Sequence, residues 1–190
     1  MDGVSDERLT VLTVGHGTAS EEGLRTLLAR AGVEHVVDVR RFPGSRRNPD
    51  VRREALERSL PAVEIGYRWE PLLGGRRTDD PSAAVDTWWR VAQFRAYAAY
   101  TRTDDFRCGL DSLLADAARH RTVVMCSESL WWRCHRRLVA DVLVLLHDVS
   151  VLHLGQDGRL APHRPSAGAR VTAAGLVYDG RTVSQHDPNS

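Results

Sequence analysis

Runs of β-branched and aliphatic residues alternate along this chain with segments of helical periodicity, and that alternation constrains the fold more than any other feature. Strands are expected over 9–14, 33–39, 63–69, 122–126 and 149–154. Helices are expected from the acidic turn at Ser20-Glu21-Glu22 through Arg30, and over 51–59, 83–101, 104–120 and 132–147. Parallel strands need crossover connections, and crossovers are right-handed and commonly helical. The order therefore predicts an α/β chain with a single open, mainly parallel sheet of about five strands flanked by helices, Rossmann-like in its winding. Residues 8–155 would form this α/β domain. From 156 to 190 the chain turns rich in Gly, Pro and Arg, which predicts an extension with a short hairpin over 170–183 and a disordered end.

Composition narrows the class. No apolar run approaches the ~18–20 residues that cross a bilayer, and the acidic N-terminus lacks the basic-then-apolar order of a secretory signal. Three cysteines, Cys108, Cys126 and Cys134, are too few and too uneven for a disulfide framework. A cytoplasmic protein with no membrane partner is expected. The net charge of +1 gives no global pull on polyanions, so any attraction must be local. All 26 basic residues are arginine, a choice that a GC-rich, arginine-favouring genome explains better than function does, though arginine's fork also suits phosphate and carboxylate.

In open α/β sheets ligands sit beyond the carboxyl ends of the strands. The residues expected there are Gly15, His16 and Gly17; then Asp38, Arg40 and Arg41; then Glu70, Gly74, Gly75, Arg76 and Arg77; then Cys126, Ser127 and Glu128. Taken singly each has a plain structural role: His16 as a satisfied core histidine, Asp38 as a brace for Arg40, Glu128 as a helix-start acid. Together they predict a site, with Asp38, Glu128 and His16 as its catalytic groups. Substrate would be held by Arg40, Arg41, Arg46, Gly74, Gly75, Arg133 and Arg136, because arginine forks match phosphate and carboxylate. Trp69, Trp131 and Trp132 are available to stack on a base, while Trp88 and Trp89 read as core.

A thiol at a strand end beside arginines can be nucleophilic. Six residues separate Cys126 from Arg133, one more than a phosphatase-like loop uses. Cys126, Cys134 and His135, with His16, could alternatively serve as thiol groups or hold zinc or iron. Their Cys-x7-Cys-His spacing is not a usual zinc-knuckle pattern, the predicted helix would enclose Cys134, and no cofactor is expected. Between Cys126 and Glu128 the acid–base role goes to Glu128, with Cys126 as a packed wall.

Several of these stretches carry a resemblance. They are T-V-G-H at 13–16, D-V-R-R-F-P-G-S-R-R-N-P at 38–49, P-L-L-G-G at 71–75, F-R-A-Y-A-A-Y at 94–100, M-C-S-E at 125–128, C-H-R-R-L-V-A-D at 134–141 and P-H-R-P-S-A-G-A-R-V at 162–171. In that order they resemble a bacterial family known as domain of unknown function 488. The family commonly has serine after the histidine, where this chain has Gly17-Thr18. The resemblance supports the site and implies no reaction.

The expected function is an enzyme acting on a nucleotide, nucleoside or nucleic-acid substrate by hydrolysis or glycosyl transfer, with arginine-bound phosphate. Two alternatives stay open: a non-catalytic module binding nucleic acid or a phosphorylated metabolite, and a metal- or thiol-dependent redox protein.

Overall fold

The computed structural model describes residues 8–44, 48–78 and 80–181. Six strands form one sheet in the order β3-β2-β4-β1-β5-β6. They are β1 (Thr10–Gly15), β2 (His35–Asp38), β3 (Gly66–Trp69), β4 (Thr122–Cys126), β5 (Ser150–Leu154) and β6 (Leu160–Pro162). Every pairing is parallel except that of β6 with β5. The helices are α1 (Glu21–Arg30), α2 (Arg53–Ser59), α3 (Ala92–Tyr100), α4 (Asp104–Ala117) and α5 (Arg136–His147). None of the described helices is long and apolar enough to cross a membrane.

The inner strands are buried on both faces, which is why they read as continuous apolar runs rather than alternating ones. Successive side chains point to opposite faces, so each strand feeds two cores. Leu12, Val14, Val36, Val123 and Met125 pack with Leu24, Leu28 and Leu56 of α1 and α2. Val11, Val37, Val124 and Cys126 pack on the other face with Phe106, Leu110 and Leu113 of α4 and Leu138 and Val142 of α5. Cys126 is thereby committed to the α5 side.

Tertiary contacts moved several boundaries. The helix expected over 83–101 is a short 3-10 turn, Pro81–Val85, followed by α3. Asp86 breaks it: fully buried, its carboxylate accepts from Arg102 and from the backbone N of Tyr178. The strand expected from residue 63 starts at Gly66, because Glu64 adopts a left-handed φ of 61° after the 3-10 turn Pro61–Val63. The helix expected from 132 is a 3-10 turn, Trp131–Arg133, then an extended Cys134, with α5 starting at Arg136. Strand β6 went unpredicted, being three residues long and ending in proline.

The extension is tied to the main sheet. Its hairpin, β7 (Ala169–Thr172) with β8 (Gly175–Tyr178), sends Leu176 and Tyr178 into the core beside α5. The expected disordered end lies outside the described residues. A buried polar chain anchors the hairpin: Thr13 Oγ1 lies 2.7 Å from His153 Nδ1, His153 Nε2 lies 2.9 Å from His163 Nδ1, and His163 Nε2 lies 2.8 Å from Asp141 Oδ1. Asp141 also accepts from the Ser166 backbone N at 2.9 Å and the Tyr178 hydroxyl at 3.0 Å. An Nε2–H on His153 can donate to His163 Nδ1, which leaves His163 Nε2 to donate to Asp141.

Burial, then the neighbouring His163 and Arg136, press His153 down to about 3. The unfolded chain therefore binds this proton more readily than the folded one below the ordinary value of 6.5. Stability from this group is complete above about pH 6.5 and is lost as pH falls toward 3, at up to about 1.4 kcal/mol per pH unit. Urea midpoints measured between about pH 7 and pH 4 should fall accordingly, and the fall should shrink in His153→Gln. An unchanged slope in that variant would remove His153 as the cause.

Candidate active site

The register places the strand ends level with one another. Gly15 pairs with Cys126, and Asp38 pairs with both Met125 and Trp69. His16 follows its strand, whereas Asp38 and Cys126 are the last residues of theirs. Beyond this edge lies a cleft of about 1270 Å³. Of the sequence-predicted residues, His16, Arg40, Arg41, Gly75, Cys126, Glu128, Arg133, Cys134 and His135 line it. Asp38, Gly74 and Arg136 do not, and Arg46 lies outside the described residues.

Asp38 is fully buried and its carboxylate is consumed by the protein. Arg40 Nε donates to Oδ1 at 2.8 Å, Arg40 Nη2 to Oδ2 at 2.5 Å, and the Tyr67 hydroxyl to Oδ2 at 2.6 Å. Burial first, and then the adjacent carboxylate, push the Tyr67 hydroxyl well above its ordinary pKa. Arg40 is equally committed, since Nη1 donates to the Val51 carbonyl at 2.7 Å and lies 3.3 Å from His16 Nε2. Asp38 and Arg40 thus form a neutral, rigid floor for the cleft, with Asp38 as the brace.

His16 is buried, with Nδ1 3.0 Å from the Gly17 carbonyl and Nε2 facing the Arg40 donor. That arrangement selects the tautomer protonated at Nδ1. Burial, then the Arg40 charge, lower its pKa and so favour the neutral ring. Gly15 exists for a close approach: a Cβ there would stand 1.9 Å from the Glu128 carbonyl oxygen. Arg136, almost wholly buried, donates to that same carbonyl and fixes the loop after β4. It acts inside the wall, away from ligand.

Strand β4 stops at Cys126, so Cys126 and Glu128 do not share a strand face. Glu128 is half-buried, with Oε1 accepting from the Leu130 backbone N at 3.1 Å. No protein donor reaches its other oxygen among the described residues. The extended conformation of Cys134 turns its sulfur toward Cys126 rather than into a helix core. Cys126 Sγ and Cys134 Sγ lie 3.9 and 3.5 Å from His135 Nδ1, and all three atoms fall within 4.8 Å of one another. His16 is not part of that group. The two sulfurs face each other closely enough for their titrations to be linked. The neighbouring Cys134 thiol first, and then burial, raise Cys126 to about 12, while the Cys126 thiol is the first cause that lowers Cys134 to about 6. His135 Nε2 finds no partner among the described residues.

Three arginines at the cleft, Arg41, Arg76 and Arg133, are exposed and make no ion pair among the described residues. Two aromatic rings join them, Phe42 at 67% and Trp132 at 48% exposure. Trp132 is the one predicted stacking residue left for a ligand. Trp69 donates Nε1 to the Arg40 carbonyl, and Trp131 lies flat on His153 at 4.0 Å between ring centroids. Trp89 is in the core, as expected. Phe42 and Arg76 were not singled out by sequence reasoning as ligand contacts, although both stand in loops after strands where such groups collect.

No curated protein and no solved structure matches the chain. The family model described as Domain of unknown function DUF488 matches residues 20–143, a stretch running from the cap of α1 through most of α5 and containing the Asp38–Arg40 floor, Gly75, Glu128 and the Cys126–Cys134–His135 cluster. With that share of the sequence matched, and its cleft built largely from the matched residues, the chain belongs to the DUF488 family.

Proposed function

We propose that the protein is an enzyme acting on a nucleotide, nucleoside or nucleic-acid fragment by hydrolysis or glycosyl transfer. The carrying observation is the set of exposed arginines, Arg41, Arg76 and Arg133, which make no ion pair among the described residues, around a cleft that also exposes Phe42 and Trp132. An arginine fork recognises phosphate, and an exposed ring offers a stacking surface for a base. Anion binding thus passes from Arg40, whose charge Asp38 neutralises, to its neighbours. The acid–base role falls to Glu128, a cleft carboxylate just beyond the end of β4 whose second oxygen receives no donor among the described residues.

Binding and turnover against a panel of nucleoside monophosphates, nucleosides and short single strands test the reading. Arg133→Ala should weaken binding of the phosphorylated members, with little change for nucleosides and little change in stability. Raising the ionic strength should weaken the same members. Glu128→Gln should lower turnover by ~10²-fold or more while leaving binding nearly unchanged. Tight binding without turnover in the unmodified protein would make it a binding module. Binding indifferent to phosphate would sink the arginine assignment.

A further inference from the structure

We infer that Cys126, Cys134 and His135 form a three-ligand site for a zinc-class divalent ion, with the fourth coordination position turned to the cleft. Along the chain the spacing looks wrong for a metal, because it is measured through a loop that doubles back. In space, the last residue of β4 and the two residues before α5 converge. The fold builds this convergence from separate elements, with the 3-10 turn and the extended Cys134 placing the second sulfur opposite the first.

The distances suit the ion. A tetrahedral zinc with Zn–S near 2.3 Å and Zn–N near 2.0–2.1 Å separates sulfur from nitrogen by about 3.5 Å and sulfur from sulfur by about 3.8 Å. Here the two sulfur–nitrogen separations are 3.5 and 3.9 Å, and the sulfurs lie within 4.8 Å of each other. A simple pair of thiols headed for a disulfide does not need an imidazole nitrogen facing both sulfurs.

The surroundings hold the ligands in place. Tyr97 packs its ring against His135 at 5.1 Å and is itself fixed by donating its hydroxyl to the Leu73 carbonyl. Gly75 lets the loop after β3 lie on the imidazole, since a Cβ there would stand 2.8 Å from Nδ1. Arg136 Nε sits 3.4 Å from Cys134 Sγ, the place of an outer-shell donor that orients a ligating thiolate. All three ligands line the cleft, so protein closes three positions and leaves the fourth to water or to a ligand heteroatom, as in catalytic rather than structural zinc sites. The site stands whatever the cleft binds, and its test uses the metal alone.

The full chain in a Cys108→Ser background, reduced and kept anaerobic, is titrated with Co²⁺. The expected result is uptake of one equivalent, a thiolate-to-cobalt charge-transfer band, visible ligand-field bands of a tetrahedral ion, and displacement by Zn²⁺. Cys134→Ser and His135→Ala should each lose more affinity than the ~10–100-fold of an outer-shell change. Gly75→Ala keeps every ligand yet crowds Nδ1, and should weaken binding by ~10-fold; circular dichroism confirms that each variant is folded. The absence of saturable cobalt uptake by the folded parent overturns the site. So does a Cys126–Cys134 disulfide that forms and reduces reversibly in a protein taking up no cobalt.

Discussion

Asp38→Asn should lower the unfolding free energy by about 3–5 kcal/mol, the cost of removing one partner from a buried ion pair. Arg40, 6% exposed, would lose the carboxylate that holds its Nε and Nη2, and the Tyr67 hydroxyl would lose its acceptor charge. Arg40→Ala should cost a similar amount by leaving the Asp38 charge buried without its counter-ion. Replacing both partners with apolar residues of similar size should recover much of the loss, because the remaining charge is then gone too. Urea unfolding of the two single variants and the double variant measures all three values. A fully stable Asp38→Asn protein that has lost turnover would return Asp38 to catalysis.

Asp141→Ala should destabilise by about 3 kcal/mol or more, since it orphans three donors at about 1–3 kcal/mol each. Those donors are His163 Nε2, the Ser166 backbone N and the Tyr178 hydroxyl, and Asp141 has no exposure through which water could replace it. The loss should be local before it is global, because two of the donors lie ahead of the hairpin and the third is on β8. Limited proteolysis should therefore cut residues 163–181 in the variant before the six-stranded sheet. Asp141→Asn, which keeps one acceptor oxygen, should fall between the variant and the parent. A protease pattern unchanged from the parent would show that apolar packing of Leu176 and Tyr178 holds the hairpin without this network.

Local chemistry made much of the fold legible. A strand buried on both faces must be apolar throughout, and a helix start needs a cap, so 122–126 and Ser20-Glu21-Glu22 could be read directly; Ser20 Oγ indeed accepts from the Gly23 backbone N at 3.1 Å. The short antiparallel edge β6 was not legible, because three residues ending in proline carry no periodicity. The break at Asp86 was not legible either. Its cause is Arg102 and β8, which lie far away along the chain.

The candidate site divides along the same line. Parallel strands put their carboxyl ends at one edge, so the sequence alone determined that His16, Asp38, Arg40, Cys126 and Glu128 would gather there. The division of labour among them depended on pairings that no spacing encodes. Asp38 could have been a free carboxylate until Arg40 and Tyr67 closed on it, and Arg40 could have been an anion ligand until Asp38 and the Val51 carbonyl took its donors. Cys134 belonged to a helix by periodicity, and only the chain's reversal after β4 set its sulfur beside Cys126 and His135. Secondary structure follows from neighbours a few residues away, which a sequence displays. Whether a buried charge or thiol is already satisfied follows from groups distant along the chain, which only the packed tertiary structure brings within reach.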